Sequence, residues 1–63
     1  MSYKIKELRE ALEMTQEELA VKAGVSRTTI SGLENGTERN TSSKTLLNIA
    51  NALGTTIGNL FLF

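Results

Sequence analysis

Apolar residues recur at helical spacing in short blocks, and polar or glycine-containing stretches separate the blocks. The first block predicts a helix over residues 3–13, and its inner face carries Ile5, Leu8 and Leu12. A later block predicts a helix that Ser42 or Ser43 caps. Its apolar stripe has the spacing i, i+3, i+4, i+7 and comprises Leu46, Ile49, Ala50 and Leu53. This periodicity indicates an all-α protein.

Residues 16–35 predict two helices joined by a tight turn. Thr15 and Glu18 have the spacing of a capping box, which sets the start of one helix at Gln16. Gly24 ends that helix, Ser26 caps the next, and this third helix runs over 27–35 until Gly36 stops it. Such a helix-turn-helix unit is the element that places its second helix in a DNA major groove.

The same residues carry a resemblance to a known family. The chain resembles the phage-repressor and Cro-like (XRE) family of DNA-binding regulators, and the likeness extends in register over nearly its whole length. The resemblance rests on the segments 15–20, 23–26 and 33–36, on Ile30, and on the flanking residues Ile5, Leu8, Arg9, Thr45, Leu46, Ile49, Ala50, Ala52, Leu53, Gly54 and Leu60. It implies a compact bundle of five short helices with a lambda-repressor-like fold, formed by one domain over 1–63.

The composition excludes most catalytic chemistry. The 63 residues include no Cys, His or Asp, so Glu is the only acidic side chain. Thiolate and imidazole metal sites are therefore absent, and Ser, Thr and Lys have no imidazole or thiol to activate them. We expect no enzyme activity, no catalytic residue, no metal, no cofactor and no small-molecule ligand.

Charge is distributed unevenly although the net charge is zero. Residues 1–21 have a balance of minus two, whereas residues 22–44, which contain the third helix and the loop after it, have a balance of plus two. Non-specific binding to DNA should therefore be weak, and specificity should depend on a few contacts.

The candidate DNA contacts form two groups. Base readout is assigned to the outer face of the third helix, where Arg can bind guanine with two hydrogen bonds. This group comprises Arg27, Thr28, Ser31 and Gly32. Contacts to the DNA backbone are assigned to hydrogen-bond donors around that helix. This group comprises Gln16, Ser26, Asn35, Arg39, Asn40 and Lys44.

Two of these positions, and the neighbouring Glu34, have further interpretations. Gly32 lowers helix propensity, and the family often has a base-reading side chain at this position. Either the backbone approaches DNA unusually closely, or fewer residues read the site. The resemblance also implies that Gln16 braces the third helix. It further implies that Glu34 pairs with Arg9 on the first helix, which would make both of them structural residues.

The end of the chain is unusually apolar. A last short helix is predicted from Thr56, and the run that follows contains Leu60, Phe61, Leu62 and Phe63. Four consecutive apolar residues on a helix cannot all face the core, and exposed apolar patches usually mark an interface. We therefore expect this run to form a homodimer interface, either as a helix or as short paired strands.

These observations predict a sequence-specific regulator of transcription, most simply a repressor. It would bind double-stranded DNA as a homodimer on a palindromic operator, with the third helix in the major groove. Two alternatives remain: an antitoxin or restriction-modification controller of the same fold, and a protein-interaction module that no longer reads DNA. The longest apolar run is far shorter than the roughly 20 residues that span a bilayer. We expect a cytoplasmic, nucleoid-associated protein without membrane contact.

Overall fold

The computed structural model describes residues 2–37 and 41–62. Within these ranges the chain forms four α-helices, one 3-10 helix and a two-stranded antiparallel ribbon. In chain order they are β1 (Ser2–Tyr3), α1 (Ile5–Ala11), α2 (Gln16–Ala23), α3 (Arg27–Asn35), α4 (Ser43–Ala52), the 3-10 helix (Ile57–Leu60) and β2 (Phe61–Leu62). The helical class is confirmed.

The predicted count of five helices is wrong by one. The last segment forms only the four-residue 3-10 helix, because the chain must become extended at Phe61 to pair with β1. Ser2 lies opposite Leu62, and Tyr3 lies opposite Phe61. The Lys4 amide continues the pairing by donating to the Leu60 carbonyl oxygen over 2.6 Å. The ribbon thus joins the two ends of the described chain.

The first helix is shorter than the sequence predicts. It ends at Ala11, and the amides of Leu12 and Met14 both donate to the Arg9 carbonyl oxygen at 3.1 Å. Glu13, between them, adopts a left-handed conformation with φ 56°. Because the helix has already ended, Leu12 is 51% exposed, and its predicted position on the inner face is wrong. Leu8 is partly buried and does pack against the core.

The unit of α2, the turn and α3 forms as the sequence predicts. The Glu18 amide donates to Thr15 Oγ1 over 3.0 Å, and the Thr15 amide donates to Glu18 Oε1 over 2.8 Å, which completes the capping box. Gly24 ends α2 in the left-handed region at φ 70°, a conformation that glycine adopts at little steric cost. The start of α3 is therefore fixed relative to α2.

The core lies between α2, α3 and α4. It is closed by α1 and the 3-10 helix. The large side chains that are fully buried are Ile5, Leu19, Ile30, Leu33, Ile49 and Leu60. The predicted stripe on α4 is confirmed, since all four of its residues are buried. No helix in the described ranges has both the length and the apolar character that crossing a membrane requires.

Candidate nucleic-acid interface

The outer face of α3 presents small and polar groups. Arg27, Thr28 and Asn35 are exposed, and Ser31 and Gly32 are half-buried. Helical spacing places Thr28, Ser31, Gly32 and Asn35 on one face, with Arg27 in the first turn beside it. The four residues predicted to read bases are therefore brought together on one helix.

The start of α3 is held by a side-chain cap. Ser26 Oγ accepts a hydrogen bond from the Thr29 amide at 3.1 Å, and it lies 2.9 Å from Thr29 Oγ1. This bond fixes the first turn, on which Arg27 and Thr28 are mounted. Ser26, predicted to contact the DNA backbone, is thus already engaged as a cap, although its hydroxyl remains exposed.

The end of α3 is held by backbone closure and by a side-chain bond along the helix. Gly36 has φ 77°, and the Thr37 amide donates to the Gly32 carbonyl oxygen over 2.9 Å. Asn35 Nδ2 donates to Ser31 Oγ over 3.3 Å. The side chains of Asn35 and Ser31 are therefore held along the helix.

An ion pair joins α1 to α3. Arg9 Nε donates to Glu34 Oε2 over 2.7 Å, and Arg9 Nη2 donates to Glu34 Oε1 over 3.2 Å. The Arg9 side chain is 11% exposed and that of Glu34 only 2%. Arg9 Nη1 also donates to the Met14 carbonyl oxygen over 2.6 Å, so one guanidinium connects α1, the following turn and α3. The predicted pairing of Arg9 with Glu34 is confirmed.

Gln16 connects α2 to the same carboxylate. Its Nε2 donates to Glu34 Oε1 over 3.0 Å, which confirms the brace that the resemblance implied. One amide hydrogen of Gln16 is therefore already used within the protein. Its backbone N–H lies in the first turn of α2, where helix amides and the helix dipole favour anions.

The surroundings of the pair shift both pKa values. Burial raises the pKa of Glu34, but hydrogen bonds from Arg9 and Gln16, with the nearby positive charges, outweigh it and leave this pKa below its ordinary value. The hydrogen bond to Glu34 raises the pKa of Arg9 further. Glu34 is therefore an anion at neutral pH and is neutralised internally. This arrangement explains how an acidic residue is tolerated on the helix proposed to approach phosphates.

The structure describes only some of the remaining predicted site residues. Lys44 is exposed in the first turn of α4. Leu60 is fully buried in the protomer's own core, so it is not available to a second copy in this conformation. Arg39, Asn40, Phe63 and the side chains of Phe61 and Leu62 lie outside the described part of the structure.

Comparison with known proteins places the chain in a family. The family model described as helix-turn-helix matches residues 5–60, which is nearly the whole chain. The chain belongs to this family, the XRE-type helix-turn-helix regulators of transcription. An uncharacterized HTH-type transcriptional regulator from Archaeoglobus fulgidus is 44% identical over 63 residues, which are 100% of this chain and 87% of the relative.

Solved structures share the fold over most of this helix-turn-helix chain. The restriction-modification controller protein C.AhdI from Aeromonas hydrophila is 38% identical with a TM-score of 0.85, over 92% of this chain and 86% of that one. SinR, a master regulator for biofilm formation solved in complex with DNA, is 29% identical with a TM-score of 0.82, over 87% of each chain.

The fold also occurs within an enzyme. A hydroxypropylphosphonic acid epoxidase from S. wedmorenis is 34% identical with a TM-score of 0.81, over 92% of this chain but only 30% of the epoxidase. The fold alone therefore does not define an activity, which depends on the residues that the fold presents at its surface.

Two contributors to the site were not predicted from the sequence. The Met14 carbonyl oxygen accepts from Arg9, and Thr29 pairs with the capping Ser26. A main-chain acceptor has no side-chain signature, so no pattern of residue types could have indicated Met14. Thr29 was in principle recognisable, because it stands three residues after the cap, where a hydroxyl can reach the capping oxygen.

Proposed function

We propose that this regulator is a sequence-specific DNA-binding repressor that binds a palindromic operator as a homodimer. Its α3 helix lies in the major groove, and the bound dimer occludes the promoter. The observation that carries this proposal is the polar outer face of α3, which is held at its start by Ser26 and braced near its end by Arg9 and Gln16 through Glu34. Preorganised polar groups on a rigid helix are what base readout requires.

The two groups of contacts have different roles in recognition. In the first turn of α3, Arg27 binds guanine with two hydrogen bonds, and Thr28 contacts the neighbouring base. The DNA backbone is held by donors at the margins of the helix, which set its register but carry no sequence information. These donors are the Gln16 backbone amide, Ser26, Asn35 and Lys44, together with Arg39 and Asn40.

The single recognition helix of each protomer supports a symmetric dimer. One protomer of 63 residues presents one recognition helix, which reads a few base pairs. Two such helices about 34 Å apart would meet successive major grooves on one side of the duplex, which gives a two-fold symmetric operator. We assign the contact between copies to the apolar segment 61–63, with Leu60 supporting it from the core.

Selection from a random duplex library, followed by gel shifts with the recovered DNA, tests the proposal. We expect a palindromic consensus, and a shift whose midpoint falls tenfold or more in concentration relative to mixed-sequence DNA. Arg27→Ala should lose the preference, whereas the matched control Lys6→Ala removes an exposed cation from α1 and should retain it. Recovery of no consensus would contradict sequence-specific binding.

The alternatives give different results in the same assays. A protein-interaction module would fail to shift mixed-sequence DNA even at low salt, where backbone contacts are strongest. A restriction-modification controller, the role of C.AhdI, would bind DNA in the same way. That role would be indicated by a consensus located upstream of methyltransferase or endonuclease genes.

A further inference from the structure

The described residues leave a mostly apolar groove open on the outer face of α2. The residues that line this α2 groove are Met14, in the turn before the helix, and Glu17, Glu18, Val21 and Lys22. Its volume is about 640 Å³, and it is open to solvent. Small ligands usually bind in cavities that cover most of their surface. An open groove of this size is better suited to several side chains of a polypeptide.

Val21 has no role in the fold that explains its position. It is 77% exposed, and other residues form the buried face of α2. A β-branched side chain also lowers helix propensity, so helix formation does not favour valine here. Leu12, two residues before Met14, is exposed as well. Two of the three large apolar side chains that are exposed in the described ranges therefore lie within residues 12–21, and such clustering is typical of an interaction surface.

The charge around the α2 groove is negative. Residues 10–22 contain four exposed glutamates and one lysine, namely Glu10, Glu13, Glu17, Glu18 and Lys22. Glu18 Oε1 accepts a hydrogen bond from the Thr15 amide over 2.8 Å, which holds one carboxylate in place. DNA phosphates would be repelled here, and a two-fold symmetric contact with a second copy would place these carboxylates against their own counterparts. The charge therefore favours a positively charged protein partner.

We propose that the α2 groove binds a segment of another protein in which an apolar side chain is flanked by lysine or arginine. The apolar side chain packs on Met14 and Val21, and the cations face Glu17 and Glu18. Apolar burial supplies affinity, whereas the opposite charges speed association and disfavour acidic partners. Because the groove lies on α2 and not on the outer face of α3, this interaction is additional to the proposed reading of DNA and does not depend on it.

Selection from a random peptide library displayed on phage tests the chemistry of the partner. Binders are recovered on wild type after depletion on Val21→Asp, which places a charge in the α2 groove at an exposed position. We expect a consensus in which an apolar residue is flanked by lysine or arginine. Binding of a synthetic consensus peptide should weaken as salt rises, because the charges are exposed. A selection that yields acidic peptides, or no such consensus, would overturn the proposal.

Nuclear magnetic resonance locates the site of the synthetic peptide. Its addition should shift the backbone amide signals of Met14, Glu17, Val21 and Lys22. Val21→Ser should weaken peptide binding about tenfold, the effect expected when a valine no longer becomes buried. Glu17→Gln should weaken it about threefold, the effect of one exposed ion pair. This second variant removes a charge from an exposed side chain without removing packed atoms, so it tests the site independently of any effect on folding.

Leu47→Ser and Glu7→Gln are the matched controls. They make the same kinds of change at exposed positions of α4 and α1, and they should leave peptide affinity unchanged. Equal losses in these controls, or amide shifts confined to another face, would overturn the proposal. Sedimentation equilibrium of Val21→Ser gives a further check. A change in oligomeric state relative to wild type would mean that the α2 groove is an interface between copies of this chain, which would also overturn the proposal.

Discussion

Removing Arg9 should destabilise the domain severely. In Arg9→Met, the guanidinium that makes two contacts to Glu34 and one to the Met14 carbonyl oxygen is lost. The Glu34 side chain, 2% exposed, would keep its charge with only the Gln16 amide donating to it. Breaking a buried pair from one side typically costs about 3–5 kcal/mol. A 63-residue domain has about 3–9 kcal/mol in total, so the variant should lie near its unfolding threshold.

A double-mutant cycle separates the pair from the loss of packing. Urea unfolding monitored by circular dichroism would be measured for Arg9→Met, Glu34→Met and the double variant, with a stabilising osmolyte if the single variants are partly unfolded. The double variant should be more stable than Arg9→Met, because two packed apolar side chains often replace a buried pair at little cost. The coupling energy should exceed about 2 kcal/mol.

Arg27→Met is the matched control. It makes the same chemical change at an arginine that is exposed, and it should alter stability by no more than about 0.5 kcal/mol. A coupling energy below about 0.5 kcal/mol, the level seen for solvated surface pairs, would refute the structural role of the Arg9 and Glu34 pair.

The pH dependence gives an independent check. In wild type the pKa of Glu34 is lowered, so its contribution to stability is present above the ordinary glutamate value of about 4.3 and is lost as pH falls through the folded-state pKa. In Arg9→Met, burial should dominate and raise this pKa, so acidification should stabilise the variant relative to wild type. The stability difference between the two proteins should therefore narrow from pH 7 to pH 3. A difference that stays constant would contradict the assignment.

Three further outcomes are expected. Glu13 has φ 56°, so Glu13→Gly should be more stable than the control Glu13→Ala by about 1 kcal/mol in urea unfolding, and equal stabilities would argue against the left-handed turn. Arg27→Ala should reduce the binding free energy on the selected operator by about 1–3 kcal/mol and relax the preference for one base. Arg39→Ala should instead weaken binding to all sequences alike and reduce the salt slope by about one. Unchanged affinity and base preference in Arg27→Ala would mean that α3 is oriented differently. The double variant Phe61→Ser with Phe63→Ser should be a less stable monomer that binds the operator more weakly, as sedimentation equilibrium and gel shifts would measure. A wild-type protein that is monomeric at high micromolar concentration, or a double variant that still dimerises, would contradict this prediction.

The parts of the fold that follow local rules were predictable from the sequence. Capping residues and glycines fix the limits of α2 and α3, because they satisfy or terminate backbone hydrogen bonds within a few residues. The stripe on α4 was likewise predictable, since its four residues share one face. The same local signals predict that the candidate recognition face lies on α3.

The ends of the chain were not predictable by the same rules. Leu12 fits the helical period of α1, but the helix closes one residue earlier through bonds to the Arg9 carbonyl oxygen. The last element becomes a strand because β1, nearly sixty residues away in sequence, offers it a partner. Such non-local pairing cannot be predicted from the spacing of apolar residues in either segment.

The internal pairing of Arg9 with Glu34 changes how the charge of the protein acts on DNA. Since the two charges neutralise each other, neither contributes to the field at the surface, and the balance of residues 22–44 becomes plus three while that of residues 1–21 becomes minus three. Although the net charge is zero, positive and negative charges are therefore separated along the chain, and this separation favours one orientation of the protein on the duplex. Residues 22–44 contain only four basic side chains, so the salt slope should be shallow, and discrimination between sequences must come from base contacts rather than from overall attraction.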